Sequence, residues 1–197
     1  MLLELFGVVF GFIYLYLEIK QKQGMWLLGF LMAAVYAVVY WQQEVYASMS
    51  FQIYYVLVSI YGFLQWGKDK VAVGGSSGRK DETSPKILYR KISLKVLLLS
   101  MFVYAVSVSF MVLVLGKFTE DPMPFADSSI TVVSAIATFW LSKSYREQWL
   151  AWLVVNGFTV VMCARIGLYP TAVLYFVNAA ASIYGYLHWK RKGVRIE

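Results

Sequence analysis

Long apolar stretches, separated by short polar segments, fill most of the 197-residue chain. Seven such stretches can be drawn, each of roughly 15 to 23 residues, and a helix needs roughly 20 to cross a bilayer. They run near Leu2–Ile19, Met25–Trp41, Tyr46–Trp66, Ser93–Leu115, Asp127–Leu141, Trp149–Ala164 and Tyr169–Trp189. The pattern predicts an all-α integral membrane protein with seven transmembrane helices.

The chain also contains an internal repeat. The segment SIYGFLQW at Ser59–Trp66 returns as SIYGYLHW at Ser182–Trp189, 123 residues later, and the same offset pairs Trp26 with Trp149. Duplicated hydrophobic units that flank a shared site at the membrane midplane are a common transporter design. The repeat therefore favours a transporter.

Composition supports the membrane interpretation. Hydrophobic residues make up 60% of the chain and charged residues 15%, and the mean hydropathy of +0.62 is too high for an ordinary soluble domain. No signal peptide is expected, because the first apolar stretch follows Met1 without a basic segment. The predicted division is a three-helix bundle (1–66), a cytoplasmic linker (67–92), a connector helix (93–115), an outer loop (116–126), a second three-helix bundle (127–189) and a basic tail (190–197).

The basic residues predict the orientation. Sixteen Lys and Arg residues fall on the side that holds the C-terminus, and only Lys117 and Arg165 fall on the other. By the positive-inside rule the C-terminus is cytoplasmic and the N-terminus external, in a bacterial inner membrane. The net charge of +7 comes from this asymmetry, and no nucleic-acid partner is expected.

A single helix between two three-helix copies makes the copies parallel, because three helices alone would invert the second copy. The predicted architecture is therefore a 3+1+3 parallel-repeat arrangement of the kind seen in SWEET proteins. The GGSSG run in the linker predicts a flexible loop, and Asp127 is predicted to cap the fifth helix. The tryptophans shared by both copies, Trp66 and Trp189, are expected at the cytoplasmic membrane interface.

The candidate substrate site lies where the copies differ. The segment QWLAWLVVN places Trp149, Trp152 and Asn156 at i, i+3 and i+7 on one helix face. Asn156 lies about 10 Å into the membrane at 1.5 Å per residue, and Asn178 lies about 13 Å in from the other side. Polar groups at this depth face protein or a water-filled cavity, so either a ligand site or hydrogen bonding between helices accounts for them. Four further candidates are Gln52, Tyr55, Tyr36 and Glu18.

The aromatic richness narrows the ligand class. With seven Trp and fifteen Tyr, aromatic faces beside amides suit a planar, cationic heterocycle through cation–π contact and hydrogen bonding. Glu18 offers a negative charge for such a ligand, but it lies at the cytoplasmic end of the first stretch, four residues before Lys22, and this position favours an interfacial ion pair. No cofactor or metal motif is present: His188 lies at a helix end and Cys163 is the only cysteine, so an enzyme is not expected.

The segments YLYLEIKQ, VYAVVYWQQEVYA, the Asp-Ser start of the fifth helix and WxxWxxVN resemble the Pnu vitamin transporters over most of the chain. The resemblance implies facilitated diffusion of a dephosphorylated B vitamin, trapped inside the cell by a cytoplasmic kinase. It places Trp149, Trp152 and Asn156 in the substrate site. Glu18 in YLYLEIK is closer to the thiamine branch, PnuT, so thiamine is the leading substrate and nicotinamide riboside, transported by the PnuC branch, the second. A non-transporting vitamin sensor and assembly into a homo-oligomer both stay open.

Overall fold

The computed structural model describes residues 2–43, 46–75, 87–118 and 123–196. Within these residues the chain forms seven α-helices and two short strands. The helices are α1 (Leu2–Ile19), α2 (Gly24–Gln42), α3 (Tyr46–Gly75), α4 (Leu94–Phe118), α5 (Pro124–Ser142), α6 (Gln148–Arg165) and α7 (Tyr169–Lys192). The strands β1 (Leu88–Tyr89) and β2 (Val194–Arg195) pair in parallel, with Leu88 opposite Val194. The helices lie where the apolar stretches predicted them, whereas nothing in the sequence indicated the strands.

The helix boundaries repeat with the same period as the sequence. Helices α5, α6 and α7 begin 122, 124 and 123 residues after α1, α2 and α3. The turn between the first two helices of each copy also repeats. Gln21 (φ 49°) and Ser144 (φ 59°), which are 123 residues apart, are the two non-glycine residues with positive φ in the described part of the chain. The repeat is therefore a repeat of backbone structure.

Three of the described helices are long and apolar enough, by length and composition alone, to cross a membrane: Gly24–Gln42, Leu94–Lys117 and Pro124–Ser142. The connector helix α4 carries exposed apolar side chains along its length, including Leu99, Phe102 and Phe110. A helix with apolar side chains directed outward suits a lipid surrounding. The membrane assignment of the other helices rests on the sequence pattern.

Several element boundaries differ from those predicted. Helix α3 continues through Trp66 to Gly75, so the first nine residues of the predicted linker are helical. Helix α5 begins at Pro124, since proline suits the first helical turn, and this shortens the predicted outer loop. Asp127 was therefore wrongly predicted as an N-cap; it lies in the first turn, where a carboxylate favours the positive end of the helix dipole. The Ser76–Gly78 part of the glycine–serine run and residues 119–122 lie outside the described residues.

The chain divides into two compact units. Unit 1 comprises residues 1–90, 142–144 and 188–197, and unit 2 comprises residues 91–141 and 145–187. In unit 1, α2 packs along α3 and also contacts α1. In unit 2, hydrogen bonds from Trp140 to Ser100 (3.1 Å) and from Tyr104 to Ser129 (3.1 Å) join α4 to α5.

Unit 1 contains a group of hydrogen-bonded residues that we call the turn cluster: Gln21, Asp69, Leu88, Arg90 and Ser144. The Gln21 side-chain amide accepts from the Leu88 N–H (2.6 Å) and donates to the Leu88 carbonyl (2.7 Å) and to Ser144 Oγ (3.1 Å). Arg90 forms a two-pronged ion pair with Asp69, at 2.7 and 3.0 Å, and its N–H donates to the Ser144 carbonyl (2.8 Å). The end of the predicted flexible linker is thus held in place by specific hydrogen bonds.

Trp66 and Trp189 are both fully buried in unit 1, so their side chains do not form an exposed aromatic belt. Their depth at the cytoplasmic membrane interface stays a prediction. Their rings pack edge to face with centroids 6.4 Å apart, and Trp66 packs in the same way on Trp26. The indole N–H of Trp189 donates to the Ile19 carbonyl at the end of α1 (3.0 Å). These tryptophans are core residues of unit 1.

Candidate functional site

Each copy of the repeat packs a tryptophan against a glycine. A Cβ atom added at Gly62 of α3 would lie 2.5 Å from the ring of Trp26 on α2, and one at Gly185 of α7 would lie 2.6 Å from the ring of Trp149 on α6. Both tryptophans are fully buried. The close approach requires the absence of a side chain at both glycines. Helix packing within unit 2 therefore explains why Trp149 is buried, without any contact to a ligand.

These contacts fix the register between the paired helices. In unit 1, Gly29 of α2 faces Ser59 of α3, because a Cβ atom added at Gly29 would lie 3.3 Å from the Ser59 Oγ. This contact lies three residues from the Trp26–Gly62 contact on each of the two helices. Helices α6 and α7 are antiparallel neighbours joined by a short turn, so equal counts of residues from Trp149 and Gly185 reach the same level. Asn156 and Asn178, each seven residues from that contact, therefore lie at one level of unit 2.

Helix α6 carries a stripe of polar groups directed into unit 2. Gln148, Trp152 and Asn156 follow one another at i, i+4 and i+8, which places them on one side of the helix. Gln148 is 0% exposed and Asn156 is 7% exposed. Three buried atoms have no hydrogen-bond partner among the described residues: Nε2 and Oε1 of Gln148 and the indole Nε1 of Trp152.

Buried polar atoms of this kind are normally paired, so these donors and this acceptor are available to a ligand. The sequence prediction missed Gln148, although its position four residues before Trp152 was a usable signal. The other polar site candidate of unit 2, Asn178, is partly exposed on α7, and its carbonyl accepts from Ser182 Oγ (2.8 Å).

The other four predicted site residues lie in unit 1. Glu18 is buried at the end of α1 rather than placed at an exposed surface. On α3, Gln52 and Tyr55 are partly exposed, and the ring of Tyr55 packs edge to face on Tyr54 (5.4 Å). Tyr36 on α2 is 49% exposed, and its ring stacks on that of Tyr40 with centroids 6.2 Å apart.

Two cavities open on the surface formed by α2 and α3, and neither is lined by a predicted site residue. The smaller, of about 190 Å³, lies beside Trp26, Phe30 and Ile60, and the larger, of about 460 Å³, reaches Lys68. Their apolar side chains include exposed Phe63 and Leu64. Such apolar grooves on an outward-facing surface suit lipid chains rather than a polar vitamin.

Comparison with known proteins identifies the family. Residues 1–191 match the family described as "Nicotinamide mononucleotide transporter". The chain belongs to this family. Its relatives include the nicotinamide riboside transporter PnuC of Escherichia coli, 23% identical over 95% of this chain and 84% of that protein. PnuC of Neisseria mucosa is 27% identical over 87% of this chain and 65% of that protein.

The fold of this chain is similar to that of a solved structure. The crystal structure described as the vitamin B3 transporter PnuC superposes with a TM-score of 0.65 at 25% identity, over 93% of this chain and 78% of that one. The resemblance to the Pnu transporters predicted from the sequence is thereby confirmed. The chain is a helical membrane protein of a transporter family rather than an enzyme.

Proposed function

We propose that this chain transports nicotinamide riboside across the bacterial inner membrane by facilitated diffusion. The observation that carries the proposal is the polar stripe of Gln148, Trp152 and Asn156 on α6, whose buried groups include unpaired donors and an unpaired acceptor. Membership of a transporter family and relatives named for nicotinamide riboside support it.

The stripe matches the chemistry of a nicotinamide ring. The ring is planar and cationic in the riboside, and its carboxamide offers two donors and an acceptor. The Gln148 amide has an oxygen that can accept from the carboxamide and an NH₂ group that can donate to it. The ring face of Trp152 suits the cation, and Asn156 lies at the same level of unit 2 as Asn178. We assign Gln148, Trp152, Asn156 and Asn178 to substrate contact, and Trp149 to holding α6 against α7.

The neutral character of the stripe favours a dephosphorylated vitamin. Gln148, Trp152, Asn156, Asn178 and the neighbouring Ser182 carry no charge. A phosphate dianion taken into a membrane protein needs a cationic partner, because burial of an unpaired charge is costly. The mononucleotide in the family's description therefore fits this stripe less well than the riboside.

Thiamine, the leading substrate from the sequence alone, becomes the second candidate. The relatives reported above are named for nicotinamide riboside. The argument for thiamine rested on Glu18 and on Leu27-Leu28-Gly29, where the nicotinamide riboside branch usually has a proline before the glycine. The unit 1 residues Glu18, Tyr55, Gln52 and Tyr36 stay candidate contacts predicted from the sequence alone. Direct comparison of the two vitamins is therefore part of the test below.

The architecture we propose is three helices, the connector α4 and three helices, with the copies parallel. The offsets of 122 to 124 residues between the helix starts and the similar backbone conformation of Gln21 and Ser144 support it. The positive-inside bias supports a cytoplasmic C-terminus. A kinase that phosphorylates the vitamin in the cytoplasm is the functional partner, and assembly of several copies is compatible with the exposed apolar surface.

A topology experiment tests the orientation. A reporter fused after Glu197 is expected to be active in the cytoplasm, and one fused before Met1 on the outside, because the basic residues concentrate on the C-terminal side. Alkaline phosphatase and green fluorescent protein fusions measure this. Cytoplasmic signals at both ends would require an even number of spans and would contradict the parallel repeat.

A transport experiment tests the substrate and the mechanism. Purified protein in liposomes is expected to equilibrate labelled nicotinamide riboside with no imposed proton or sodium gradient, because the sequence places the acids Glu4, Glu18 and Asp127 at span ends rather than along the core of a span. Unlabelled nicotinamide riboside, thiamine and nicotinamide mononucleotide serve as competitors. Net accumulation is expected only when a kinase is enclosed in the liposomes.

The membrane potential is clamped at zero as the control, since the substrate is a cation. Accumulation above the external concentration under this clamp, driven by a pH or sodium step, would contradict facilitated diffusion. Competition by thiamine but not by nicotinamide riboside would overturn the substrate assignment and restore thiamine.

A further inference from the structure

The two cavities on the α2–α3 surface of unit 1 adjoin one another. Phe63 and Leu64 line both, so the smaller cavity beside Phe30 and Ile60 runs on into the larger one, of about 460 Å³, that reaches Lys68. We call the two together the α2–α3 groove. From Ile60 to Lys68 the groove follows α3 for about 12 Å at 1.5 Å per residue. This length is close to the hydrocarbon thickness of one membrane leaflet, about 15 Å.

The groove changes from apolar to basic at one end. Lys68 is exposed and lies two residues beyond Trp66, the last residue of the third apolar stretch. Lys22, which is also exposed, directly precedes Gln23, and Gln23 lines the same end of the groove. A lysine ammonium is a compact point charge that binds phosphate groups. By the positive-inside rule this end faces the cytoplasm, where the membrane surface is negatively charged by anionic lipids.

The acid next to Lys68 is already paired elsewhere. Asp69 belongs to the turn cluster, its side chain is 7% exposed, and it forms the two-pronged ion pair with Arg90. Lys70 is engaged in the same region, since its ammonium donates to the Gln21 carbonyl (2.9 Å). Of the three consecutive charged residues 68–70, Lys68 is therefore the one that presents its charge to the groove.

The second copy of the repeat has a different side chain at the matching place. At the 123-residue offset, Arg146 stands in place of Gln23 and Tyr186 in place of Phe63. Within unit 2 the Arg146 guanidinium lies over the Tyr186 ring, 4.7 Å from its centroid. A long cationic side chain thus covers the ring whose equivalent, Phe63, lines the groove in the first copy.

Gly67 keeps the basic end of the groove open. A Cβ atom added at Gly67 would lie 2.8 Å from Nε2 of Gln23, which donates to the Phe63 carbonyl (3.2 Å). A side chain at this position would therefore displace the Gln23 amide. The residue that matches Gly67 in the second copy is Lys190. The groove is thus formed by residues particular to the first copy, and the repeated fold alone does not account for it.

We propose that the α2–α3 groove binds an anionic phospholipid of the cytoplasmic leaflet, with an acyl chain along Phe63 and Leu64 and the headgroup phosphate at Lys68. The apolar wall accepts a chain of any phospholipid, and Lys68 adds the preference for a negatively charged headgroup. One lysine near the membrane surface favours an anionic lipid by about fivefold. The inference rests on the membrane location and the predicted orientation, and it does not depend on which vitamin is transported.

Native mass spectrometry of the purified full-length protein in detergent tests the site. The probes are phosphatidylglycerol and phosphatidylcholine with identical acyl chains, and the protein is expected to retain the first about fivefold more strongly. Lys68→Gln is expected to lower the retention of phosphatidylglycerol about fivefold and to leave that of phosphatidylcholine unchanged, because it removes only the charge. Lys95→Gln, at an exposed lysine of α4 on the same predicted membrane side, is the matched control and is expected to change neither.

A second pair of variants tests the apolar wall. Val71 lines the groove and is 74% exposed, so Val71→Trp is expected to fill the groove and to lower the retention of both lipids severalfold. Val35→Trp adds the same bulk at a position of α2 that is 62% exposed and lines neither cavity, and it is expected to change nothing. Thermal unfolding checks that each variant is folded. Ala72→Phe, at another exposed position of the groove, serves if Val71→Trp does not fold.

Three outcomes would overturn the lipid site. Equal retention of the two lipids would show that no headgroup is recognised. An equal loss of phosphatidylglycerol in Lys68→Gln and Lys95→Gln would show a general attraction to basic residues. A change in the number of copies of the chain in Val71→Trp, with lipid retention unchanged, would assign the groove to a second copy instead. No vitamin is present in these measurements, so a failure of the proposed transport function leaves their result unaffected.

Discussion

Alanine in place of Gly185 is expected to destabilise the protein by about 1–3 kcal/mol. The added methyl group would lie 2.6 Å from the ring of Trp149, closer than real Cβ contacts come, so the ring or the α6–α7 backbone must shift. Trp149 is fully buried, so its ring is enclosed by other protein groups. Gly62→Ala in the first copy is expected to act in the same way through Trp26. Thermal unfolding of the purified protein in detergent measures both changes.

Gly157→Ala is the matched control for this prediction. Gly157 lies on α6, one residue after Asn156, and nothing lies within 4 Å of an added Cβ atom. Its replacement is expected to leave the unfolding temperature unchanged or slightly raised, because alanine is favoured over glycine within a helix by roughly 0.5–1 kcal/mol. An equal loss in Gly157→Ala and Gly185→Ala would show that helix glycines are costly to replace in general, and that the tryptophan contacts are not special.

The second large effect is expected in substrate binding. Trp152→Ala and Asn156→Ala are each expected to weaken nicotinamide riboside binding by about 1–3 kcal/mol, roughly tenfold to a hundredfold, since each removes a ring face or a desolvated hydrogen-bonding group. Gln148→Leu, which keeps the volume and removes the amide, is expected to fall in the same range. Isothermal titration calorimetry gives the affinities.

The control variants must not disturb the core. Trp66→Ala is unsuitable because Trp66 is buried between Trp26 and Trp189, and its loss is expected to cost about 3–5 kcal/mol of stability. Trp41, which is 63% exposed near the end of α2, offers a better tryptophan control. If Trp41→Ala weakens binding as much as Trp152→Ala does, the stripe on α6 is not the substrate site.

The hydrophobic pattern was sufficient to predict the helices, because a bilayer imposes length and apolar character on each span. The 123-residue offset was sufficient to predict the repeat, which the helix starts and the two positive-φ turns confirm. The pattern was not sufficient to place helix ends outside the apolar stretches. Helix α3 continues through Lys68 and Lys70 to Gly75 because these residues are good helix formers, and charge carries no stop signal.

The roles of individual side chains were harder to predict. Tryptophans at the ends of apolar stretches, such as Trp66 and Trp189, are typical of the membrane interface. Only the structure shows that the rings of these two meet inside unit 1. The partners of Gln21, namely Leu88 and Ser144, lie 67 and 123 residues away, and no local pattern marks such contacts. Gln148 was missed because glutamine at a helix start usually faces water, whereas here it is buried.

The parallel pairing of β1 with β2 has a practical consequence for anyone who handles this protein. The N–H groups of Val194 and Ile196 donate to the carbonyls of Ile87 and Tyr89, each at 2.9 Å, so the last residues of the chain are tied to the linker. An affinity tag or fluorescent fusion joined directly to the C-terminus would crowd that short sheet and the segment Ile87–Arg90 beside it. A spacer of several flexible residues before the tag, or cleavage of the tag before kinetic work, avoids measuring the fusion instead of the transporter.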